Sequence, residues 1–211
     1  GLDTIEGHKK GIETAKEIIK EAIDKKVLFL TLYAFSSENW KRDPEEVKDL
    51  MELLRVFLNT EIDSLSNSGV KLTVLGDISQ FDEDIKINIE KATSLNENNF
   101  KINLIMAINY GARQEITMAT QRICSKIINK EIELSEVNEK EIEENLYTNG
   151  LPDPDLIIRT GGDSRLSNFL LWQSAYAELI FLKKPWPDFT KKDFSDAVFD
   201  FKNRERRFGG R

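Results

Sequence analysis

The stretch DLIIRTGGDSRLSNFLLWQSAYAELIF, residues 155–181, decides how the rest of the chain is read. It opens with the apolar run of a buried strand and breaks at Gly161-Gly162. Arg159, Arg165, Ser167 and Asn168 stand around the break, and the chain then turns apolar again up to a lone Glu178. A short apolar strand ending in glycine and polar residues is what an open parallel sheet presents where its strands finish, and ligands bind beyond those ends.

The same unit recurs upstream. VLFLTLYAF (27–35) leads into SSENWKR, VKLTVLGD (70–77) ends in Gly-Asp, and KINLIMAINYG (101–111) leads into NYGAR. Helical periodicity fills the intervals. Ile12, Ala15, Ile18, Ile19, Ala22 and Ile23 share one face, and a long helix after Pro44 carries apolar residues from Val47 to Leu65 on a wide one. Further helices are predicted over 84–95 and 113–128, followed by an acidic one capped by Asn138 and a last one after Thr190, with Glu141 and Asp193 at the third position of each cap. The alternation predicts an α/β fold with a mostly parallel central sheet and helices on both faces. With 211 residues and no repeat or linker, one domain spanning 1–211 is expected.

Composition limits the function. With 40% hydrophobic and 32% charged residues the chain belongs with folded soluble proteins. A net charge of −7 argues against a general nucleic-acid binder, so any anion site must be local. The single Cys124 cannot form an intrachain disulfide; it reads as a helix core position in a reducing, cytoplasmic setting. No apolar run approaches the roughly 20 residues that span a bilayer, and the start shows no signal-peptide pattern.

Arg159 and Arg165 flanking two glycines form a candidate oxyanion clamp: guanidinium forks suit phosphate oxygens, and glycines let backbone N–H groups approach a ligand. Ser167 and Asn168 add neutral donors. The plainer reading is a turn whose arginines pair with Asp163 and Asp155. Arg42 and Arg113 at neighbouring strand ends favour the phosphate reading. His8, the single histidine, is expected at a helix start, where free N–H groups favour an anion, or is incidental. Glu178, among apolar neighbours, reads as a buried carboxylate needing either a metal such as Mg²⁺ bridging to diphosphate or a local arginine. The wide helix face is core or a hydrophobic channel. Trp40, Trp172 and Trp186 read as packing residues, although Trp40 lies in the polar strand-end cluster.

These motifs together resemble the cis-prenyltransferase family, bacterial-type undecaprenyl diphosphate synthase. TLYAFSSENWKR, GD, NYGAR, the 155–181 stretch and WPDF occur in family order, and the resemblance runs from GHKKG to RERRFGG. It implies an enzyme that condenses isopentenyl diphosphate sequentially, in cis, onto an allylic diphosphate such as farnesyl diphosphate, with Mg²⁺, to make a long-chain carrier lipid for the cell envelope. Carried over, Arg159, Arg165, Leu166 and Ser167 would hold isopentenyl diphosphate, and His8 and Arg42 would attend the allylic diphosphate. Asn39 would assist proton removal, with Ser36, Ser37, Glu38 and Trp40 completing that wall, and Glu178 would ligate magnesium. Ala34, Leu104 and Met106 would line a tunnel for the growing chain. The family is homodimeric, so Arg207 and Gly209 would complete the neighbouring subunit's diphosphate site, unless RRFGG simply terminates a helix. Peripheral contact with the inner membrane face through the lipid product follows from the same resemblance.

The chain also departs from the family. Its first motif, a strand leading into MDGNGRWA, is expected ahead of His8 and is not in the sequence; Thr4 stands where many members have arginine, and Asp163-Ser164 where Glu-His is usual. The alternative is a non-catalytic partner subunit of a heteromeric cis-prenyltransferase, although such subunits lose several of the residues present here. A nucleotide-binding domain is weaker, because no glycine-rich dinucleotide or P-loop lysine motif occurs.

Overall fold

The computed structural model describes residues 4–96 and 99–205. Helix α1 (Thr4–Asp24) leads to strand β1 (Phe29–Ser36), a 3-10 turn at Ser37–Lys41 and helices α2 (Pro44–Thr60) and α3 (Ile62–Asn67). Strand β2 (Val70–Leu75), α4 (Glu83–Thr93), β3 (Ile102–Tyr110), α5 (Ala112–Ile128) and α6 (Glu139–Asn145) follow. The chain continues through β4 (Leu156–Arg159) and β5 (Glu178–Phe181) to α7 (Lys191–Lys202).

All strand pairs among the described residues are parallel: helical crossovers return the chain to the same end of the sheet for β1, β2 and β3, and an irregular segment does so between β4 and β5. The ladder comes in two pieces among the described residues: β1-β3-β2, and β4 beside β5. Strand β3 is central and buried along nearly its whole length. Its even-numbered Ile102, Leu104, Met106 and Ile108 enter the main core with Ile18, Ile19, Phe57, Ile85 and Phe194 of the helices. Its odd-numbered Ile105 and Ala107 face a smaller core with Leu75, Ala112 and Leu170. Asn109, at a φ of 48°, interrupts the alternation, and Tyr110 joins the second core.

Local signals act largely as the sequence indicates. Asp43 caps α2 ahead of Pro44, and Thr190 and Asp193 form a reciprocal capping box on α7. Asn138 caps α6, but Glu141 turns its side chain to Lys126 and Asn145 instead of closing the box. Two expectations are corrected. The long helix after Pro44 is broken at Glu61 into α2 and α3. Cys124 is exposed: the buried face of α5 runs through Ala112, Glu115, Ala119 and Ile123, and one further residue turns about 100° away from it. No described helix is long and apolar enough to cross a membrane.

Candidate functional site

The outer edges of β1 and β4 have no strand partner among the described residues, and an apolar cavity of about 710 Å³ borders both. Consecutive residues of each strand line it, Thr31 to Phe35 and Ile157 to Thr160, as happens when an edge rather than one face meets the space. The opposite wall comes from α1 and α2, with Leu50, Leu54 and Phe57 on the latter. Ala34, Leu104 and Met106, expected along a channel, all line it. Gly11 of α1 admits Trp186 from the far end of the chain: a Cβ at Gly11 would lie 3.3 Å from the indole, whose Nε1 donates to the Gly11 carbonyl at 3.0 Å.

Polar groups meet this apolar space on His8, Arg159, Thr160 and Arg165, with Leu166 beside them. Arg159 Nη2 and Arg165 Nη2 both donate to Asp163 Oδ2, at 3.1 and 2.6 Å. That much is the plain turn pairing. Yet Arg159 Nε and His8 Nδ1 are buried without a hydrogen-bond partner. A buried polar atom left unpaired costs about 1–3 kcal/mol, and both of these belong to residues that line the cavity. His8 lies in the second turn of α1, already helical from Thr4, so its side chain rather than a free helix-start N–H faces the cavity.

The two glycines act differently from the expectation. Gly161 and Gly162 adopt φ values of 91° and 84°, which favour glycine, but their N–H groups donate to Lys184 and Leu182 carbonyls at 2.9 Å each. They shape the turn and tie it to the segment that follows β5; they are not open donors. Ser167, exposed with a φ of 51°, lies beside this turn.

At the end of β1, Asn39 Oδ1 accepts the Ser36 N–H at 2.8 Å and closes the Ser37–Lys41 turn, leaving its Nδ2 to donate. Trp40 Nε1 donates to Asn109 Oδ1 at 2.8 Å, and its ring packs edge-on against Phe35. Ser37 Oγ contacts Glu38 at 3.3 Å. Burial pushes the Glu38 carboxyl up, but the Asn168 carboxamide, its own N–H and the Ser37 and Ser36 side chains together hold it below the usual carboxylate range. Arg42 is exposed and pairs with Glu46. None of the residues 36–42 lines the cavity itself.

Tyr33 does line it, stacked on Phe169 at 4.6 Å and donating to the Tyr110 carbonyl at 2.9 Å. Burial, with the Glu38 charge second, pushes its phenol up to about 12, so it is a neutral donor at physiological pH.

Glu178 is half-buried rather than enclosed, and its Oε2 accepts from Arg204 Nη1 at 2.8 Å. The parallel register pairs it with Leu156, whereas Arg159 pairs with Phe181, so the two stand at opposite ends of the β4-β5 ladder. No group of three or more His, Cys, Asp or Glu side chains among the described residues is arranged to hold a metal. Arg207 and Gly209 lie outside the described residues.

Sequence reasoning missed strand β5, the Gly11–Trp186 contact and the position of Asn168. Its Nδ2 is committed to Glu38 and Gln114 and is not an open donor for a ligand. WPDF carried a signal for Trp186; nothing local marked the others.

Comparison with known proteins agrees over nearly the whole chain. The prenyltransferase family described as "Putative undecaprenyl diphosphate synthase" matches residues 1–209. An isoprenyl transferase of Clostridium perfringens is 45% identical over 210 residues, covering 100% of this chain and 83% of that protein. One from Rickettsia typhi is 46% identical, covering 100% and 90%. Among solved structures, the lavandulyl diphosphate synthase of Lavandula x intermedia, in complex with dimethylallyl diphosphate, superposes with a TM-score of 0.95 at 34% identity, over 99% of this chain and 90% of that one. A probable undecaprenyl diphosphate synthase from Campylobacter jejuni gives a TM-score of 0.83 at 35% identity, over 95% and 92%.

Proposed function

The chain belongs to the undecaprenyl diphosphate synthase family and is a cis-prenyltransferase; from that premise we propose that it adds isopentenyl diphosphate units in cis to an allylic diphosphate, farnesyl diphosphate, to make a long polyprenyl diphosphate that serves as a cell-envelope carrier lipid. The observation that carries this reading is the apolar cavity whose wall includes His8, Arg159 and Arg165, the first two each with a buried, unpaired nitrogen. A ligand with an anionic head and a hydrocarbon tail satisfies both halves of that wall.

In each cycle the allylic C–O bond breaks and diphosphate leaves with the electron pair. The isopentenyl double bond attacks the allylic carbon, and a proton lost from the carbon between the resulting tertiary cation and the diphosphate-bearing carbon restores a double bond. Arg159 and Arg165 hold a diphosphate by charge-assisted bonds. An amide is too weak a base to take the proton, so Asn39, with its oxygen holding Ser36, acts through its free Nδ2 donors, orienting a diphosphate oxygen that receives the proton. The excluded water and apolar walls keep the allylic centre from hydrolysis.

Magnesium fits this scheme as an ion that takes most of its ligands from phosphate and water, so one protein carboxylate is enough; when bound it would stabilise charge on the departing diphosphate. Glu178 is the residue proposed to hold it, exchanging Arg204 for the ion. Because Glu178 stands at the end of the ladder away from Arg159, we read it as the contribution of a second copy in a homodimer. The exposed Leu179 and Phe181 of β5 and Phe199 of α7 support such an interface. The open edges of β1 and β4 support a further strand between them, the family's first motif with its phosphate-binding loop, which would share the cavity with the prenyl chain. The lipid product, rather than any described helix, would bring the protein to the inner membrane face from the cytoplasm.

Incorporation of labelled isopentenyl diphosphate into butanol-extractable lipid, with farnesyl diphosphate and Mg²⁺, tests the reading for residues 1–211 and for the same residues with the family's first motif placed ahead of them. Chelator-sensitive chain elongation supports it. Diphosphate binding without elongation in either form replaces it with the non-catalytic partner subunit.

A further inference from the structure

Asn168 joins the turn after β4 to two other strand ends. Its Nδ2 donates to Glu38 Oε1 beyond β1 at 2.7 Å and to Gln114 Oε1 on α5 at 3.0 Å. Its Oδ1 accepts the Arg113 N–H at 2.8 Å, and its main-chain oxygen accepts the Ala112 N–H at 2.8 Å. Both amide hydrogens are thereby committed. The fit is close: a Cβ on Gly111 would lie 2.5 Å from Ser37 Oγ and 2.7 Å from Asn168 Nδ2.

The backbone held by this clasp is unusual. Ser167, Asn168 and Leu170 have φ values of 51°, 64° and 43°. Asparagine visits this left-handed region readily, whereas serine and leucine do so at a cost that the surroundings must offset. Asn168 is where the surroundings take hold, one residue after Ser167 and three after Arg165.

We propose that Asn168 is a positioning residue: it touches no substrate, and it fixes the arginine turn against the Asn39 turn so that the two diphosphate-handling segments keep one relative placement. This rests on the prenyltransferase reading above. A donor pair, Asn168 to Glu38, carries the link between the two turns, so reversing the donor should break it and reversing both partners should restore it.

The test is a double-mutant cycle of Asn168→Asp and Glu38→Gln. The Asn168→Asp change alone sets two carboxylates against each other, whereas adding Glu38→Gln returns a donor to the pair. Steady-state constants for both substrates and titration with inorganic diphosphate are measured on all four proteins. We expect Asn168→Asp to lower kcat/KM for isopentenyl diphosphate about tenfold or more in the wild-type background and only about two- to threefold beside Glu38→Gln, with the same coupling in diphosphate affinity. Equal losses in both backgrounds, or loss of thermal stability with unchanged constants for the folded protein, would overturn the proposal. Should Asn168→Asp not fold, Asn168→Ser, which cannot repel Glu38, carries the test: unchanged constants and diphosphate affinity reject it. Absence of turnover in the wild type would remove the prenyltransferase reading, leaving the coupling in diphosphate affinity to decide the role of Asn168.

Discussion

Arg159 shares Asp163 Oδ2 with Arg165, yet holds its own Nε buried and unpaired. The carboxylate thus aims two cations at one place without satisfying the deeper of them. Replacing Arg159 by lysine keeps the charge but removes the fork and its Nε donor. The expected cost is about 2 kcal/mol or more, roughly a thirtyfold fall in kcat/KM for isopentenyl diphosphate, read from steady-state kinetics. An unchanged value would return this arginine to the plain turn pairing.

Asn39 joins two roles that substitution can separate. Asn39→Asp retains an oxygen for the Ser36 N–H, so the turn after β1 should persist, but the two amide donors are gone. Turnover should fall at least about tenfold, with a thermal midpoint close to wild type. Asn39→Ala should lose both. Near-normal turnover in either variant would discard the assigned role.

Leu50 lies half-buried on the α2 wall of the cavity. A tryptophan there narrows the space available to a growing chain while leaving the cationic groups untouched. Leu50→Trp should shift the extracted products toward shorter chains, with a KM for the allylic diphosphate within about threefold of wild type. A product distribution identical to wild type would place chain growth elsewhere.

Tyr33 and Tyr110 set an alkaline limit. Burial pushes the Tyr33 phenol up to about 12, and burial with the Glu115 charge pushes that of Tyr110 higher still. The folded protein therefore holds these protons more tightly than the unfolded chain, where a tyrosine titrates near about 10. Their contribution is complete below that value and is lost as pH rises toward about 12. Denaturant midpoints should decline over that window, and Tyr33→Phe should flatten part of the decline. The same slope in both proteins would show that folding does not change the affinity of Tyr33 for its proton.

What the sequence made legible were the strands with long apolar runs, the capped helices and the chemistry gathered at strand ends. Each is written in local periodicity or local turn chemistry. The break at Glu61 was not, because no glycine or proline marks it. Strand β5 is four residues long, with only Ile180 buried, so its apolar letters overstated the burial of Glu178. The glycine pair marked a break in the strand and was read as freeing its N–H groups for a ligand, but which carbonyls they reach depends on residues 182 and 184 arriving from β5. Asn168 looked like a ligand donor for the same reason: its partners, Glu38 and Gln114, lie 130 and 54 residues away in the chain.

The account turns on the cavity between β1 and β4 being the seat of the prenyl chain. An allylic diphosphate carrying a photoreactive group at its hydrocarbon end, irradiated with the protein and mapped by peptide mass, tests that placement directly. Label is predicted on the cavity wall, at residues such as Leu32, Leu54 and Met106, and should diminish in Arg159→Ala. Label confined to the outer apolar residues Phe181 and Phe199, and unaffected by Arg159→Ala, would contradict it.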